Sequence, residues 1–149
     1  MDCYTLFFDG AAKGNPRNAS TGVVNKYREG QVEHRFACGL GQDTNTQAEV
    51  MALLQGLKAL HQVGIKEAMI MGDSQTLVQM LVENSVPKDL WLTRSMRRIR
   101  NLTNFFHRLK FFHVLRINNK EADEEANRAA LLPEGMLLLD EKENWEPIP

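Results

Sequence analysis

The chain has 149 residues, of which 43% are hydrophobic, and a formal net charge of −1. This length supports one domain with a real core and is too short to suggest two. No apolar run approaches the roughly 20 residues of a membrane span, and nothing at the amino terminus resembles a signal peptide. We therefore expect a soluble, intracellular protein, cytoplasmic or nuclear, that does not contact membranes.

Runs with strand propensity alternate with runs of helical periodicity along the chain. Strands are predicted at Cys3 to Phe8, Ser20 to Lys26, Gln31 to Gly39, Glu67 to Met71 and Lys110 to Ile117, with a hairpin turn at Arg28 to Gly30. Helices are predicted at Thr46 to Val63, Ser74 to Glu83, Lys88 to Arg108 and Asn119 to Leu131. Three strands followed by alternating helices and strands predict an α/β fold.

Asp9 follows the first predicted strand and precedes a segment rich in turn-forming residues. Gly10 to Arg17 contains two glycines, an asparagine and a proline. We expect a turn there, with backbone left free to contact a ligand. Such a turn beside an acid suits a phosphate or a ribose.

Three further acids lie in comparable settings. Glu49 falls in the first turns of a predicted helix, Asp73 follows a short apolar run and Gly72, and Asp123 lies near the start of the last helix. Several acids at one site repel each other, so their convergence makes sense only with bound cations.

These segments, in this order and spacing, resemble the type 1 ribonuclease H family, in particular its compact retroelement and archaeal variants. The matching residues are Asp9-Gly10-Ala11, Gly14-Asn15-Pro16, Thr44-Asn45, Ala48-Glu49, Gly72-Asp73-Ser74-Gln75, Val114, Arg116, Asn119 and Ala122-Asp123. The resemblance runs from about Tyr4 to Leu131. It implies a ribonuclease H-like fold, with a mixed five-stranded sheet, an antiparallel meander and helices on both faces.

The resemblance also implies a chemistry. The family cuts the RNA strand of RNA/DNA hybrids with two Mg²⁺ ions, or Mn²⁺ as a substitute, and leaves 5′-phosphate and 3′-hydroxyl ends. All four acids would be catalytic metal ligands: Asp9 would bridge the ions, Glu49 and Asp73 would bind one, and Asp123 the other. Carboxylate oxygens are ligands that magnesium prefers.

Substrate contacts follow from the same resemblance. The backbone around Gly10 and the side chains of Asn15, Asn45 and Gln75 are candidates for contacting the nucleic acid, and Thr44 for a phosphate of the DNA strand. Each polar side chain has a structural alternative: Asn15 is an ordinary turn residue, and Thr44 or Asn45 an ordinary helix cap. The two kinds of role can coexist. Asp123 and its neighbours Glu121, Glu124 and Glu125 can likewise be first-turn acids that complement the helix dipole, which is the preferred interpretation for Glu124 and Glu125.

Basic residues are unevenly distributed. Between Arg94 and Lys110 there are six arginines and lysines and no acid. On the predicted helix an apolar stripe leaves Arg94, Arg97 and Arg98 on the flanks and the outer face. They form either a solvated helix face or a surface that tracks phosphates.

The chain departs from the family pattern at several points. The histidine that many members carry on a loop before the last acid is missing from Ile117 to Glu121, and His113 is expected in the core or at an edge. The basic protrusion of some bacterial members is missing too. Arg17 replaces a usual glycine and Glu125 a usual apolar residue, which puts substrate fit and helix docking in doubt.

Residues 1–132 are predicted to form the ribonuclease H-like domain, and 133–149 an acidic tail containing prolines. The tail is either partly disordered or docked through Met136 to Leu139. Cys3 and Cys38 are predicted to be reduced core residues. A monomer is expected. Two alternatives stay open: a related nuclease for double-stranded RNA or DNA junctions, and a catalytically silent nucleic-acid-binding module.

Overall fold

A mixed six-stranded sheet organises the chain in the computed structural model, which describes residues 4–13, 18–27, 31–83, 88–129 and 137–139. The strands are β1 Tyr4–Lys13, β2 Asn18–Tyr27, β3 Gln31–Gln42, β4 Glu67–Gly72, β5 Arg108–His113 and β6 Leu137–Leu139. Their order across the sheet is β5-β4-β1-β2-β3-β6.

The sheet contains the expected meander. Strands β1, β2 and β3 pair antiparallel, whereas β4 pairs parallel with β1, and β5 parallel with β4. All five predicted strands are present. The three-residue strand β6 adds to them by pairing antiparallel with β3. In the structure, residues 137–139 of the tail are therefore docked on the sheet. The domain boundary at residue 132 stays a prediction.

Helices cover both faces of the sheet. They are α1 Asn45–Gln62, α2 Gln75–Glu83, α3 Leu90–Thr103 and α4 Lys120–Arg128, with a 3₁₀ turn at Arg116–Asn119. Thr21 on β2 donates a hydrogen bond to Gln55 of α1, and its neighbour Ser20 donates one to the backbone carbonyl of Ala126 in α4. Because successive strand residues point to opposite faces, α1 and α4 lie on opposite sides.

The main core lies on the α1 side. Leucines on α1 recur at helical spacing and pack with Leu6 and Phe8 of β1, all of them at most 1% exposed. Met96 and Ile99 of α3 pack into the same core. The buried leucines of α1 are Leu53, Leu54, Leu57 and Leu60.

Strand β1 is longer than predicted. It continues through Asp9 to Lys13, and the residues from Asp9 to Lys13 pair in register with those from Asn18 to Gly22. The predicted turn is therefore wrong at Gly10 to Lys13, because cross-strand pairing overrides the local glycine signal. Its remainder, 14–17, and the hairpin turn at 28–30 lie outside the described residues.

The third helix is shorter than predicted, and β5 is shifted. Helix α3 ends at Thr103 instead of Arg108, and β5 ends at His113 instead of Ile117. Phe106 turns into the core, where it is 9% exposed, and the backbone N–H of His107 donates to the carbonyl of Lys66 at 2.8 Å. These contacts end the helix and start the strand.

Two smaller expectations concern cysteine and membranes. Cys38 is a free, buried thiol, and burial raises its pKa, as expected for a core residue. Cys3 lies outside the described residues. Among the helices in the described part of the chain, none has the length and apolar character to cross a membrane.

Candidate active site

Asp9 lies in the middle of β1 and is 1% exposed. Its Oδ1 accepts a hydrogen bond from the backbone N–H of Gly10 at 2.9 Å. Its Oδ2 is buried and has no hydrogen-bond partner among the described residues. A buried carboxylate oxygen without a partner is costly in its charged form, and a cation bound beside Asp9 would offset that cost.

Glu49 comes to Asp9 because α1 packs directly on the β1 backbone. A Cβ added to Gly10 would lie 2.3 Å from both the carbonyl carbon of Ala48 and the backbone nitrogen of Glu49. Only glycine permits this approach. Gly10 is predicted to contact the nucleic acid through its backbone. In the structure it also lets α1 approach β1, and this approach brings Glu49 beside Asp9.

Asp73 comes to Asp9 through strand pairing. Phe8 of β1 is the register partner of Gly72 in the parallel strand β4, so the next residues, Asp9 and Asp73, emerge side by side. A Cβ on Gly72 would lie 2.4 Å from the Phe8 ring. Asn119 holds this corner, since its Nδ2 donates to the Phe8 carbonyl at 2.8 Å and to Asp73 Oδ2 at 3.3 Å.

Asp123 comes to the site on α4, which packs on β2. Gly22 is the register partner of Asp9, and a Cβ there would lie 2.2 Å from the carbonyl oxygen of Ala122 and 2.3 Å from the nitrogen of Ala126. Gly22 was not among the residues predicted to shape the site, although a glycine inside a strand often marks the close approach of another backbone.

The structure brings three of the four predicted acids into one compact group. Carboxylate oxygens of Asp9, Glu49 and Asp73 all lie within 4.8 Å of one another. Asp123 lies outside this group, yet close enough for its charge to raise the pKa of Asp9. Its Oδ2 accepts a hydrogen bond from Asn127 at 3.4 Å.

Burial and mutual repulsion change the acidity of the site. Burial, with added repulsion from Asp73 and Asp123, raises the pKa of Asp9 to about 7. Burial and then the charge of Asp9 raise the pKa of Glu49 to about 10. Glu49 Oε2 is also buried without a partner among the described residues. A group of oxygen ligands with unmet charge fits a divalent cation.

The predicted substrate contacts lie at helix starts. Thr44 caps α1: its Oγ1 accepts from the N–H of Gln47 at 3.1 Å, and Gln47 Oε1 accepts from the N–H of Thr44 at 3.1 Å. The capping role foreseen for Thr44 is thus confirmed. Asn45 and Gln75 are the first residues of α1 and α2, and both are exposed. Asn15 lies outside the described residues.

Arg94, Arg97 and Arg98 lie on the exposed side of α3, away from buried Met96 and Ile99. None of the three forms an ion pair within the part of the chain that the structure describes. A positive surface without compensating acids is compatible with both of the interpretations given above, solvated face and phosphate contact.

The departures from the family pattern have structural counterparts. The segment without the loop histidine is the 3₁₀ turn Arg116–Asn119, which runs straight into α4. His113 is exposed at the end of the edge strand β5, as one of the two expected placements. The connection at 84–87, where the sequence predicts no basic protrusion, lies outside the described residues, as does Arg17.

Glu125 does not weaken helix docking in the way its polarity suggested. The side chain is 2% exposed, and both of its oxygens accept hydrogen bonds from Arg128, at 2.9 and 2.8 Å. Arg35 of β3 donates to it as well, at 3.4 Å. A buried carboxylate that is paired on two sides replaces the usual apolar contact.

Known proteins resemble this chain along most of its length. A family model described as "Reverse transcriptase-like" matches residues 7–129. Ribonuclease HI of Halobacterium salinarum is 35% identical over 83% of this chain, which spans 62% of that relative's length. Ribonuclease H of Coxiella burnetii is 32% identical, over 83% of this chain and 86% of its own.

Solved structures agree with these relatives. The crystal structure of RNase H1 from H. salinarum superposes with a TM-score of 0.80 and 34% identity, over 85% of this chain and 96% of that one. LC11-RNase H1, solved in complex with an RNA/DNA hybrid, superposes with a TM-score of 0.79 and 30% identity over the same shares. The chain therefore belongs to the type 1 ribonuclease H family.

Proposed function

We propose that this protein is a metal-dependent endonuclease that cleaves the RNA strand of RNA/DNA hybrids, leaving 5′-phosphate and 3′-hydroxyl ends. The observation that carries the proposal is the compact group of Asp9, Glu49 and Asp73, whose ligand oxygens lie within 4.8 Å of one another. A similar chain of known structure binds an RNA/DNA hybrid.

The site would bind divalent cations. Buried oxygens of Asp9 and Glu49 are unpaired among the described residues, and their charges repel each other. Mg²⁺ takes oxygen ligands and keeps several of its waters, so a few carboxylates suffice to bind it, and Mn²⁺ can substitute. Two bound ions would activate the attacking water and stabilise the leaving oxygen.

The four acids have distinct positions for this task. Asp9 lies beside Glu49 and Asp73, and Asp123 is close enough to raise the pKa of Asp9. Asp9 would therefore suit a ligand that both ions share. Glu49 and Asp73 complete the compact group and would bind one ion. Asp123 approaches from the opposite face of the sheet and would bind the second. Asn119, which donates to Asp73 at 3.3 Å, would keep that carboxylate oriented.

Recognition of the substrate would fall to polar groups near the acids. Thr44, Asn45 and Gln75 are exposed at the amino termini of α1 and α2, where backbone N–H groups and the helix dipole favour a phosphate. The 2′-hydroxyl distinguishes RNA from DNA, and Asn45, Gln75 and Asn15 would contact it in the minor groove. Backbone groups at Gly10 would assist.

The basic side of α3 would extend the contact with the nucleic acid. Lys58 on α1 lies nine residues after Glu49, about 14 Å along the helix axis. Partial burial, as the larger cause, and the charge of Arg98, which lies close to Lys58, together lower the pKa of Lys58. Arg94, Arg97 and Arg98 would then bind phosphates of the hybrid at a distance from the cut.

The test is cleavage of a labelled RNA/DNA hybrid, with double-stranded RNA and double-stranded DNA alongside, in Mg²⁺ and separately in Mn²⁺. We expect cutting of the RNA strand in the hybrid. Asp73→Asn and Asp123→Asn should abolish it. Glu124→Gln is the matched control. Glu124 is exposed on the same helix as Asp123, and this substitution also removes one negative charge.

Each alternative has its own outcome. Cutting of double-stranded RNA in preference to the hybrid would favour a related nuclease with another substrate. A folded protein that binds hybrid but cuts nothing in either metal would be a silent binding module. We also propose that the protein acts as a monomer, which light scattering would show.

A further inference from the structure

Helix α4 carries Asp123, yet it contributes no large apolar side chain to its contact with the sheet. Its buried side chains are those of Ala122, Glu125 and Ala126. Alanine methyl groups remove little apolar surface from water compared with leucine side chains. The contacts that α4 itself supplies to the sheet are therefore to a large part polar.

Five charged side chains on β2, β3 and α4 form a connected cluster, here named the α4 clamp: Lys26, Arg35, Glu121, Glu125 and Arg128. Arg35 donates to Glu121 at 3.2 Å and to Glu125 at 3.4 Å. Lys26 forms an ion pair with Glu121, and Arg128 one with Glu125. The clamp thus connects α4 to two strands of the sheet.

Arg35 is suited to its central position. Glu121 and Glu125 are one helical turn apart, so they face the sheet together, and a forked guanidinium can bind both at once. The side chain of Arg35 is 26% exposed and that of Glu125 2% exposed. Salt screens such partly buried pairs less than surface pairs.

We propose that the α4 clamp holds α4 on the sheet in the absence of metal and thereby positions Asp123 as a ligand. The inference rests on the proposed function, in which Asp123 binds a cation. Asp123 lies two residues after Glu121 and two before Glu125 on the same helix, so contacts that fix the α4 backbone also fix the backbone of Asp123. Arg35 and Glu125 are positioning residues, because they act through α4 and not on the reacting groups.

The experiment compares the full chain with the double variant Arg35→Met with Glu125→Leu. Removing both charges together avoids a buried charge without a partner, which would destabilise the whole fold. Hydrogen exchange is measured in EDTA. We expect amides of α4 to exchange at least roughly tenfold faster in the variant, while those of α1 are unchanged. Arg108→Met, on the distant strand β5, is the matched control.

Mn²⁺ binding, measured by calorimetry, gives a second readout without catalysis. The double variant should bind Mn²⁺ roughly 10–100-fold more weakly, the usual effect of losing a residue that orients a ligand. The Mn²⁺ affinity of Arg35→Lys should lie between those of the wild-type protein and the double variant, because lysine lacks the forked guanidinium that binds both glutamates.

Two results would overturn the inference: unchanged exchange of α4 in the double variant, or equal acceleration in α1, which would indicate a merely global loss of stability. Failure of the proposed function is distinguishable from both. If the wild-type protein cut no substrate but Mn²⁺ binding and α4 exchange still depended on Arg35 and Glu125, the clamp would stand and the nuclease activity would be rejected.

Discussion

Helices α1 and α4 both deliver a carboxylate to Asp9, from opposite faces of the sheet, but different forces hold them. Helix α1 buries four leucines in the main core, each contributing about 1.5–3 kcal/mol. Helix α4 buries alanines and a paired glutamate. Glu49 is therefore placed by the same core that folds the protein, whereas Asp123 depends on charged contacts between α4 and the sheet.

The largest difference between the two helices should follow from adding one methyl group at each contact. Gly10→Ala would push against the α1 backbone, which its core leucines prevent from moving, so we expect a loss of about 3 kcal/mol or more. Gly22→Ala meets the α4 backbone at a similar distance, but α4 can shift outward at a smaller cost. Urea unfolding measures both.

Cleavage should separate the same two variants further. Gly22→Ala should slow cleavage of the hybrid more than its loss of stability explains, since a displacement of about 1 Å can cost roughly 100-fold in rate. Gly56→Ala is the control for cleavage, because its added Cβ lies 2.6 Å from the core side chain of Leu6 and does not meet the α4 backbone. A Gly22→Ala protein less stable than Gly10→Ala would contradict the comparison.

A deletion in the core should damage stability without moving Glu49 selectively. Leu57→Ala removes a fully buried side chain and should cost about 2–5 kcal/mol. The folded fraction should cut hybrid at a rate within about threefold of wild type, because the loss is spread over the whole fold. Equilibrium unfolding and single-turnover cleavage below the midpoint check this. A selective loss of Mn²⁺ affinity would contradict it.

The pH dependence should belong to the α1 side. The pKa of Asp9 rises from 3.8 to about 7 and that of Glu49 from 4.5 to about 10 on folding. Between pH 4 and 10 the metal-free folded state therefore binds more protons than the unfolded state, so its free energy of unfolding falls as pH rises. We expect melting temperatures in EDTA to drop by roughly 5 °C or more from pH 5 to 9.

Variants assign that pH effect to the residues. Glu49→Gln should remove most of the drop in melting temperature. Asp123→Asn should leave most of it, because burial raises the pKa of Asp9 more than Asp123 does. Saturating Mg²⁺ should also reduce the drop, since the bound cation favours the ionised carboxylates. A melting temperature that stays level or rises in EDTA would show that these acids are ionised on folding.

The smallest effect concerns the start of each helix. Thr44 forms a capping box at α1, whereas Asn119, before α4, makes no side-chain cap and instead binds Phe8 and Asp73. Thr44→Ala should cost about 1 kcal/mol, the usual value for a lost cap. Thr46→Ala, inside the first turn and exposed, is the control for thermal melts.

Local patterns predicted most of the fold and three acids that lie together in it. Within the described residues, strand propensity located the five longer strands and helical spacing the four α-helices, and the acids Asp9, Glu49 and Asp73 stand out by their local sequence context. Element ends were less predictable. Strand β1 continues past Gly10 because β2 pairs with it, and such pairing has no local signature.

The candidate acids are recognisable in the sequence, because they lie at the ends of predicted strands or near the starts of predicted helices. How they come together depends on the packing of the folded chain. Gly10, Gly22 and Gly72 let three elements approach Asp9, and Arg35 reaches α4 across roughly ninety residues of chain. These contacts are set by packing between distant segments, which residue order alone does not specify.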